Sequence, residues 1–230
     1  MQLYRIERKA LFSQFLLLLL LGATPVFSQN TTRPDALRSY RIGRDLESRD
    51  RIAEANQYYD EAVRICRDEI AQNASNMDSY TVLTWALQRQ KKYAEVITWG
   101  QRGLAVNNAE YRIIETMGEA YFYLNRYEDS LRSMQRYVNA IPQGERSSVA
   151  YFFIGEIFRF QKKFHRADIA YTTAVRLEPG SALWWYRLGS VREEVREFKP
   201  AMEAYQRALR LNPNYREATE GLERSRRAST

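Results

Sequence analysis

The side chains that most often perform chemistry are scarce in this sequence. It contains one histidine, His165, and one cysteine, Cys66, so it can form neither a four-ligand Cys/His metal cage nor an intrachain disulfide. No G-x-S-x-G, H-E-x-x-H, G-x-G-x-x-G or Gly-Lys-Ser/Thr segment occurs. A carboxylate pair such as Glu115 and Glu119 could do acid–base chemistry, because like charges one helical turn apart can raise one pKa. The same spacing occurs on any acidic helix face, so we expect no catalytic residue, no metal site and no cofactor.

The first 28 residues differ in composition from the rest of the chain. Arg5, Arg8 and Lys9 precede an apolar stretch that contains six consecutive leucines and ends before Pro25. This order is typical of a secretory signal, and we predict cleavage after Ser28, with residues 29–35 as a linker. The apolar run is short for a membrane-spanning helix, although an uncleaved N-terminal anchor is the alternative. Either interpretation places the remainder outside the cytoplasm, in the periplasm or another extracytoplasmic space.

The net charge is +7, and the first 28 residues contribute three bases and one acid to it, which leaves +5. Of the 35 basic residues, 29 are arginine. A basic chain often binds nucleic acid, but an exported one seldom meets it, so we expect no nucleic-acid partner. Weak attraction to an anionic membrane surface is compatible with this charge.

Several residues recur at a spacing of 34. Gly118 and Pro142 precede Gly155 and Pro179 by 37 residues, which indicates a three-residue insertion, and a seven-residue insertion covers residues 70–76. The pairs at spacing 34 are Phe164 with Phe198, Ala167 with Ala201, Tyr171 with Tyr205, Ala174 with Ala208, and Pro179 with Pro213. A fixed period of this length predicts a repeat architecture.

Within each unit, apolar and small residues follow a helical period twice. In one unit they include Ile154, Gly155 and Phe158, and then Ala167 and Tyr171. Each unit is therefore expected to form two amphipathic helices, and prolines end the second one. One such pair cannot bury enough apolar surface to fold alone, so neighbouring pairs must stack.

The pattern of an aromatic, Leu-Gly, Tyr, Ala, an aromatic, Ala and Pro resembles the tetratricopeptide repeat (TPR) family. Residues 148–181 and 182–215 match it well, and residues 36–69, 77–110 and 111–144 match it less closely. The resemblance implies an all-α fold, a right-handed α-solenoid of about five helix-turn-helix repeats. Residues 216–230 are expected to form a C-terminal capping helix and tail.

In the TPR family the first helix of each unit lines a concave groove that binds proteins. At the corresponding positions of this sequence acids outnumber bases by three, which predicts a protein partner with an apolar or basic segment. The chaperone-binding carboxylate clamp of some members is not expected, because only Arg44 and Arg112 remain as cations at its positions. The candidate partner-binding residues are Tyr40, Arg44, Trp85, Arg89, Arg112, Glu115, Glu119, Tyr123, Phe152, Glu156 and Tyr186.

These expectations favour an exported protein-interaction scaffold that acts in envelope assembly or secretion. One alternative is a membrane-associated assembly factor whose basic convex surface contacts lipid, and another is an enzyme that uses the groove carboxylates. The groove aromatics could instead pack between repeats, and homo-oligomerisation is left open.

Overall fold

The computed structural model describes residues 35–229, and every regular element in that range is an α-helix. The predicted signal and most of the predicted linker lie outside the described residues. The helices are α1 (Ala36–Ser48), α2 (Ile52–Gln72), α3 (Met77–Arg89), α4 (Tyr93–Val106), α5 (Tyr111–Tyr123), α6 (Tyr127–Ala140), α7 (Ser147–Phe160), α8 (Phe164–Leu177), α9 (Ala182–Glu194), α10 (Phe198–Leu211) and α11 (Arg216–Ala228). We number the pairs α1–α2 to α9–α10 as repeats 1 to 5.

The helices stack in chain order. Each helix packs against the next one, and contacts also join α1 to α3, α3 to α5, α5 to α7, and α9 to α11. The odd-numbered helices therefore form one layer of the stack. The predicted all-α solenoid of helix-turn-helix repeats is confirmed, with α11 packed on repeat 5 through Ala218 and Gly221. None of the helices between residues 35 and 229 is both long enough and apolar enough to cross a membrane.

The two helices of every repeat are joined by the same tight turn. One residue in each turn has a left-handed backbone with φ between 56° and 61°. The amide that follows it reaches back to a carbonyl in the last turn of the odd-numbered helix; the Lys92 amide, for example, donates to the Leu87 oxygen at 2.9 Å. We call the line of these five turns the turn edge; the left-handed residues are Asp50, Lys91, Asn125, Lys162 and Arg196.

The even-numbered helices end in extended backbone. The residues before Pro179 and Pro213 are extended, and Ile141 before Pro142 also leaves the helical region, because proline disfavours the helical conformation in the residue before it. Helices α2 and α4 end without proline, at Asn73 and Asn107. There the asparagine side chain accepts a backbone N–H two residues on and forms the turn itself.

The helices of a repeat approach closely where a small residue faces a large one. In repeat 4, a Cβ added to Gly155 would lie 2.6 Å from the Tyr171 ring. Repeat 2 reverses the arrangement, because Thr84 occupies the odd-numbered helix and Gly100 the even-numbered one. Met117 of the next repeat fills the space over Gly100. Repeat 2 therefore departs from the sequence pattern because its small residue lies on the even-numbered helix and not on the odd-numbered one.

We predict that Gly155→Ala destabilises the protein by about 1–3 kcal/mol, because the new methyl group meets a fully buried ring that has no space to move into. Gly180→Ala is the matched control, since nothing lies within 4 Å of its Cβ position. Urea unfolding followed by circular dichroism measures both. Equal stability of the two variants would contradict the close packing described here.

Candidate protein-binding cleft

A cleft of about 510 Å³ opens on the layer of odd-numbered helices. Helices α1, α3 and α5 supply most of its lining, and Glu145 and Arg146 join them from the connection to α7. The structure brings together eight of the eleven residues predicted to bind a partner: Tyr40, Arg44, Trp85, Arg89, Arg112, Glu115, Glu119 and Tyr123. Most of the predicted site therefore lies in one place, on repeats 1 to 3.

The other three predicted residues, Phe152, Glu156 and Tyr186, do not line this cleft. The Phe152 ring stacks on Trp184 with 5.2 Å between ring centroids, and Tyr186 packs against neighbouring tyrosines. Glu156 is buried. In repeats 4 and 5 the aromatic side chains of adjacent helices cover these positions, so packing between helices accounts for Phe152 and Tyr186.

Aromatic rings form one wall of the cleft. Tyr40 is only 7% exposed and lies against Trp85, with 5.6 Å between ring centroids. Trp85 is half-buried and also lines a second depression of about 500 Å³ next to the first. Further along, Tyr93 and Tyr123 stack with 4.8 Å between centroids, and Tyr123 is half exposed. Trp85 thus stands between two depressions with part of its ring open to a ligand.

Arg146 organises the acidic residues of the cleft. Its Nε donates to Glu115 Oε1 at 3.1 Å, and its guanidinium also pairs with Glu119. Gln88 donates to the second oxygen of Glu119 at 3.0 Å. Glu115 is only 4% exposed, and burial, together with the neighbouring Glu119, raises its pKa well above the usual carboxyl range. These carboxylates therefore hold Arg146 and are not free to meet a ligand.

Similar pairs join the odd-numbered helices elsewhere. Glu156 pairs with Arg187 at 3.0 Å, and Glu193 with Arg224 at 2.8 Å. In both cases, as for Glu115 and Arg146, the arginine follows the glutamate by 31 residues. Most glutamates of this layer are therefore engaged in ion pairs with arginines of the next repeat or of α11 and are not free to bind a ligand.

Buried tyrosines hold three of the odd-helix glutamates from below. The Tyr59 hydroxyl donates to Glu47 at 2.6 Å, and the Tyr205 hydroxyl donates to Glu193 at 2.7 Å. Tyr171 makes the corresponding bond to Glu156. Burial first, and the neighbouring carboxylate second, raise the pKa of each of these phenols, so all three remain protonated donors.

The sequence predicts more acidic than basic side chains in the groove, and the lining of this cleft does not follow that prediction. Its lining contains the acids Glu47, Glu115, Glu119 and Glu145 and the bases Arg44, Arg89, Lys91, Arg112 and Arg146. All of these acids except Glu145 are engaged by Arg146, Arg89 or Tyr59. Arg44 and Lys91 are exposed and make no ion pair within residues 35–229. The accessible charge is therefore positive.

Sequence reasoning missed Arg146, Lys91 and Tyr137. These residues lie outside the odd-numbered helix positions from which the groove was inferred: Lys91 in a turn, Arg146 just before α7, and Tyr137 on α6. The Tyr137 hydroxyl accepts the Arg146 backbone N–H at 3.3 Å and so fixes the connection that carries this arginine. The recurring interval of 31 residues between glutamate and arginine is the signal that could have found Arg146.

Comparison with known proteins agrees with this architecture. Residues 148–181 and 182–215 each match a family model of the tetratricopeptide repeat. The chain therefore contains tetratricopeptide repeats. No curated protein matches its sequence.

Solved structures of TPR proteins share its fold at low sequence identity. A MamA RS-1 double mutant aligns with a TM-score of 0.62 at 17% identity, covering 79% of this chain and 96% of that one. Pseudomonas aeruginosa PilF aligns with a TM-score of 0.66 at 15% identity, covering 84% of each chain. YrrB, a TPR protein with an unusual peptide-binding site, aligns with a TM-score of 0.57 at 17% identity, covering 84% of this chain and 94% of that one. At these identities the likeness concerns the fold alone.

The remaining reactive residues lie away from the cleft. His165 is exposed at the start of α8. Cys66 is fully buried, and burial raises the pKa of its thiol to about 12, so it is not a thiolate. Within residues 35–229, no group of three or more His, Cys, Asp or Glu side chains is placed to hold a metal ion.

The raised pKa of Glu115 predicts a pH-dependent contribution to stability. The folded state holds the Glu115 proton more tightly than the unfolded chain does, so this contribution is fully present at low pH. It is lost as pH rises through the raised pKa. Glu115→Gln cannot titrate, so its stability relative to the wild type should improve as pH rises from the acidic to the mildly alkaline range.

The measurement is urea unfolding over a pH series. Glu145→Gln is the matched control, because Glu145 is an exposed acid of the same cleft. A difference between Glu115→Gln and the wild type that stays constant with pH would show that the buried carboxyl does not titrate as described.

Proposed function

We propose that the protein is an exported interaction scaffold whose cleft on repeats 1 to 3 binds an extended or helical segment of a partner protein, in envelope assembly or secretion. The observation that carries this proposal is the cleft itself, in which a partly open tryptophan lies among exposed cations. The leader-like first 28 residues support the export part of the proposal.

Trp85 is suited to act as the anchor of such a contact. It is held in place by Tyr40, so little side-chain freedom is lost when a ligand covers it. Its ring is large and carries an N–H donor, and residues of this type dominate the energy of protein interfaces. Because Trp85 lies between two depressions, a segment that crosses it would contact both.

The cations of the cleft set the chemistry of the segment. Arg44 and Lys91 have no internal ion pair within the described residues, and Arg112 is about half exposed between Glu110 and Asp78. A partner segment that places a carboxylate near these side chains and an apolar side chain on Trp85 would satisfy both. We therefore propose an apolar segment with acidic groups, which reverses the charge inferred from the sequence.

The fold comparisons support the mode of binding at the level of architecture. YrrB is described as binding peptides, and it shares the fold of this chain. Solenoids of this kind present an extended surface across several repeats, which suits a linear ligand. The ligand of this cleft is proposed from its own residues.

Peptide selection tests the cleft. Residues 35–230 are used to select binders from a displayed random peptide library, and the dissociation constants of the selected peptides are measured by fluorescence anisotropy. Trp85→Ala should weaken binding by about 1–3 kcal/mol, because it removes the anchor. The double variant Arg44→Gln/Arg112→Gln should weaken binding and reduce its dependence on salt.

Trp99→Ala is the matched control. Trp99 lies on α4 beside Arg67 and Arg102, outside the cleft, so its removal should leave peptide affinity unchanged. Equal affinity of Trp85→Ala and the wild type would overturn the proposed site. Selection of lysine- and arginine-rich peptides would instead support the basic partner segment that the sequence predicted.

Export has its own test. The intact mass of the protein recovered from its native compartment should lack residues 1–28, because the leucine block and the small residues before position 29 form a cleavable signal. A mass that retains these residues would contradict cleavage and favour an N-terminal anchor.

A further inference from the structure

A ridge of aromatic side chains runs along the turn edge, across repeats 2 to 4. Tyr93 stacks on Tyr123, whose neighbour Phe122 contacts Tyr127 with 5.6 Å between centroids. Tyr127 in turn stacks on Phe160 at 5.4 Å. Tyr123 and Phe160 are 50% and 48% exposed, and Leu124 beside them is 39% exposed. The edge is therefore both apolar and open.

The lysines of the described residues collect at the same edge. Lys91 and Lys92 form one turn, Lys162 and Lys163 form another, and Lys199 is the second residue of α10. Within residues 35–229 there is no other lysine, although arginines are spread over the whole structure. Positive charge at the edge is therefore supplied mainly by the long, flexible ammonium side chain.

Few acids neutralise these lysines. Lys92 lies 3.5 Å from Asp60, whereas Lys163 donates only to the neutral Gln161 side chain. Lys162 is exposed and makes no ion pair in the described part of the chain. Glu128 in the first turn of α6 is an exposed acid near this edge. The balance of the edge is positive, with apolar rings between the charges.

We propose that the turn edge of repeats 2 to 4 is a docking surface for an anionic lipid bilayer. Tyrosine and phenylalanine rings insert at the level of the lipid headgroups, while lysine side chains reach the phosphates. The ring contacts from Tyr93 through Tyr123 and Tyr127 to Phe160 join the turns of repeats 2 to 4 into one continuous apolar strip. The contact is peripheral, since no helix within residues 35–229 is suited to cross the bilayer.

This surface meets the cleft at Lys91, Tyr93 and Tyr123, which belong to both, and it continues beyond the cleft to Phe160 in repeat 4. Phe160, Lys162 and Lys163 do not line the cleft, so lipid binding and peptide binding can be separated by mutation. A basic lipid contact was expected on the convex face, on the even-numbered helices. Apart from Arg166, the arginines of these helices lie in their middle or C-terminal parts, away from the turn edge. The turn edge combines positive charge with exposed aromatic rings. Positive charge alone would be enough to attract an acidic protein, so the exposed rings favour a lipid surface.

Vesicle partitioning tests the proposal. Residues 35–230 are used because they form a compact unit with its own core and exclude the apolar leader, which would bind lipid by itself. The probe is a vesicle of phosphatidylcholine with one-quarter phosphatidylglycerol. Lys162→Gln/Lys163→Gln should lower the partition coefficient about thirty-fold, because each lysine near an anionic surface contributes about a factor of five.

Arg176→Gln/Arg210→Gln is the matched control. It removes the same charge from exposed residues in the last turns of α8 and α10, about 20 Å along the helix from the turn edge. Its partition coefficient should stay within a factor of two of the wild type. An equal loss in both double variants would overturn the proposal in favour of diffuse attraction to the whole basic surface.

The aromatic contribution needs separate variants. Phe160→Ser should lower partitioning about tenfold at high salt, where the charge contribution is screened. Leu124→Ser also removes apolar surface from the edge, and it perturbs fewer ring contacts. Peptide binding in the cleft is measured for each variant to show that it is folded. The proposal is overturned if the wild type fails to bind the vesicles, or if it binds polyglutamate and not lipid, which would indicate an acidic protein partner.

Discussion

The contact on which the rest of the structure depends is the one between a buried tyrosine and the odd-numbered helix of its repeat. Tyr171 lies against Gly155, where any larger residue would push the helices apart, and its hydroxyl holds Glu156. Because that glutamate is fixed from below, it can pair with Arg187 of the next repeat. One side chain therefore connects packing inside a repeat with electrostatic contact between repeats.

The cleft lies where this arrangement changes. Repeats 2 and 3 lack the tyrosine and have Gly100 and Met134 in its place, and they have Gln88 and Phe122 at the position of the paired Glu47 and Glu193. Arg146 then holds the carboxylates from the side of the solvent. The repeats that match the family pattern least closely are those that open toward a ligand, which is expected if packing is relaxed where a binding surface forms.

Helical periodicity and the interval of 34 residues determine the stack of paired helices, because a repeated pattern can bury its apolar face only against copies of itself. The grouping of most site residues follows from the same register. The sign of the accessible charge in the cleft does not follow from the register. It depends on Arg146 and Lys91, which lie in the connections between helices, and on which acids are already bonded. Whether Phe152 is open depends on the placement of Trp184, and a linear pattern does not encode that contact.

Arginine and lysine divide the work of this basic chain according to their chemistry. Arg224 contacts both oxygens of Glu193, at 2.8 and 3.0 Å, a geometry that a planar guanidinium provides and an ammonium cannot. Apart from the contact of Lys92 with Asp60, the ion pairs between repeats use arginine, and this removes much of its charge from the outer surface. Lysine, which is strongly hydrated and flexible, stays at the turn edge, where a mobile charge can reach a phosphate without a fixed partner. Phe160, Lys162 and Lys163 belong to the turn edge and not to the cleft, so a chain held at a membrane by this end of the edge would keep Trp85 and Arg44 free for a protein segment.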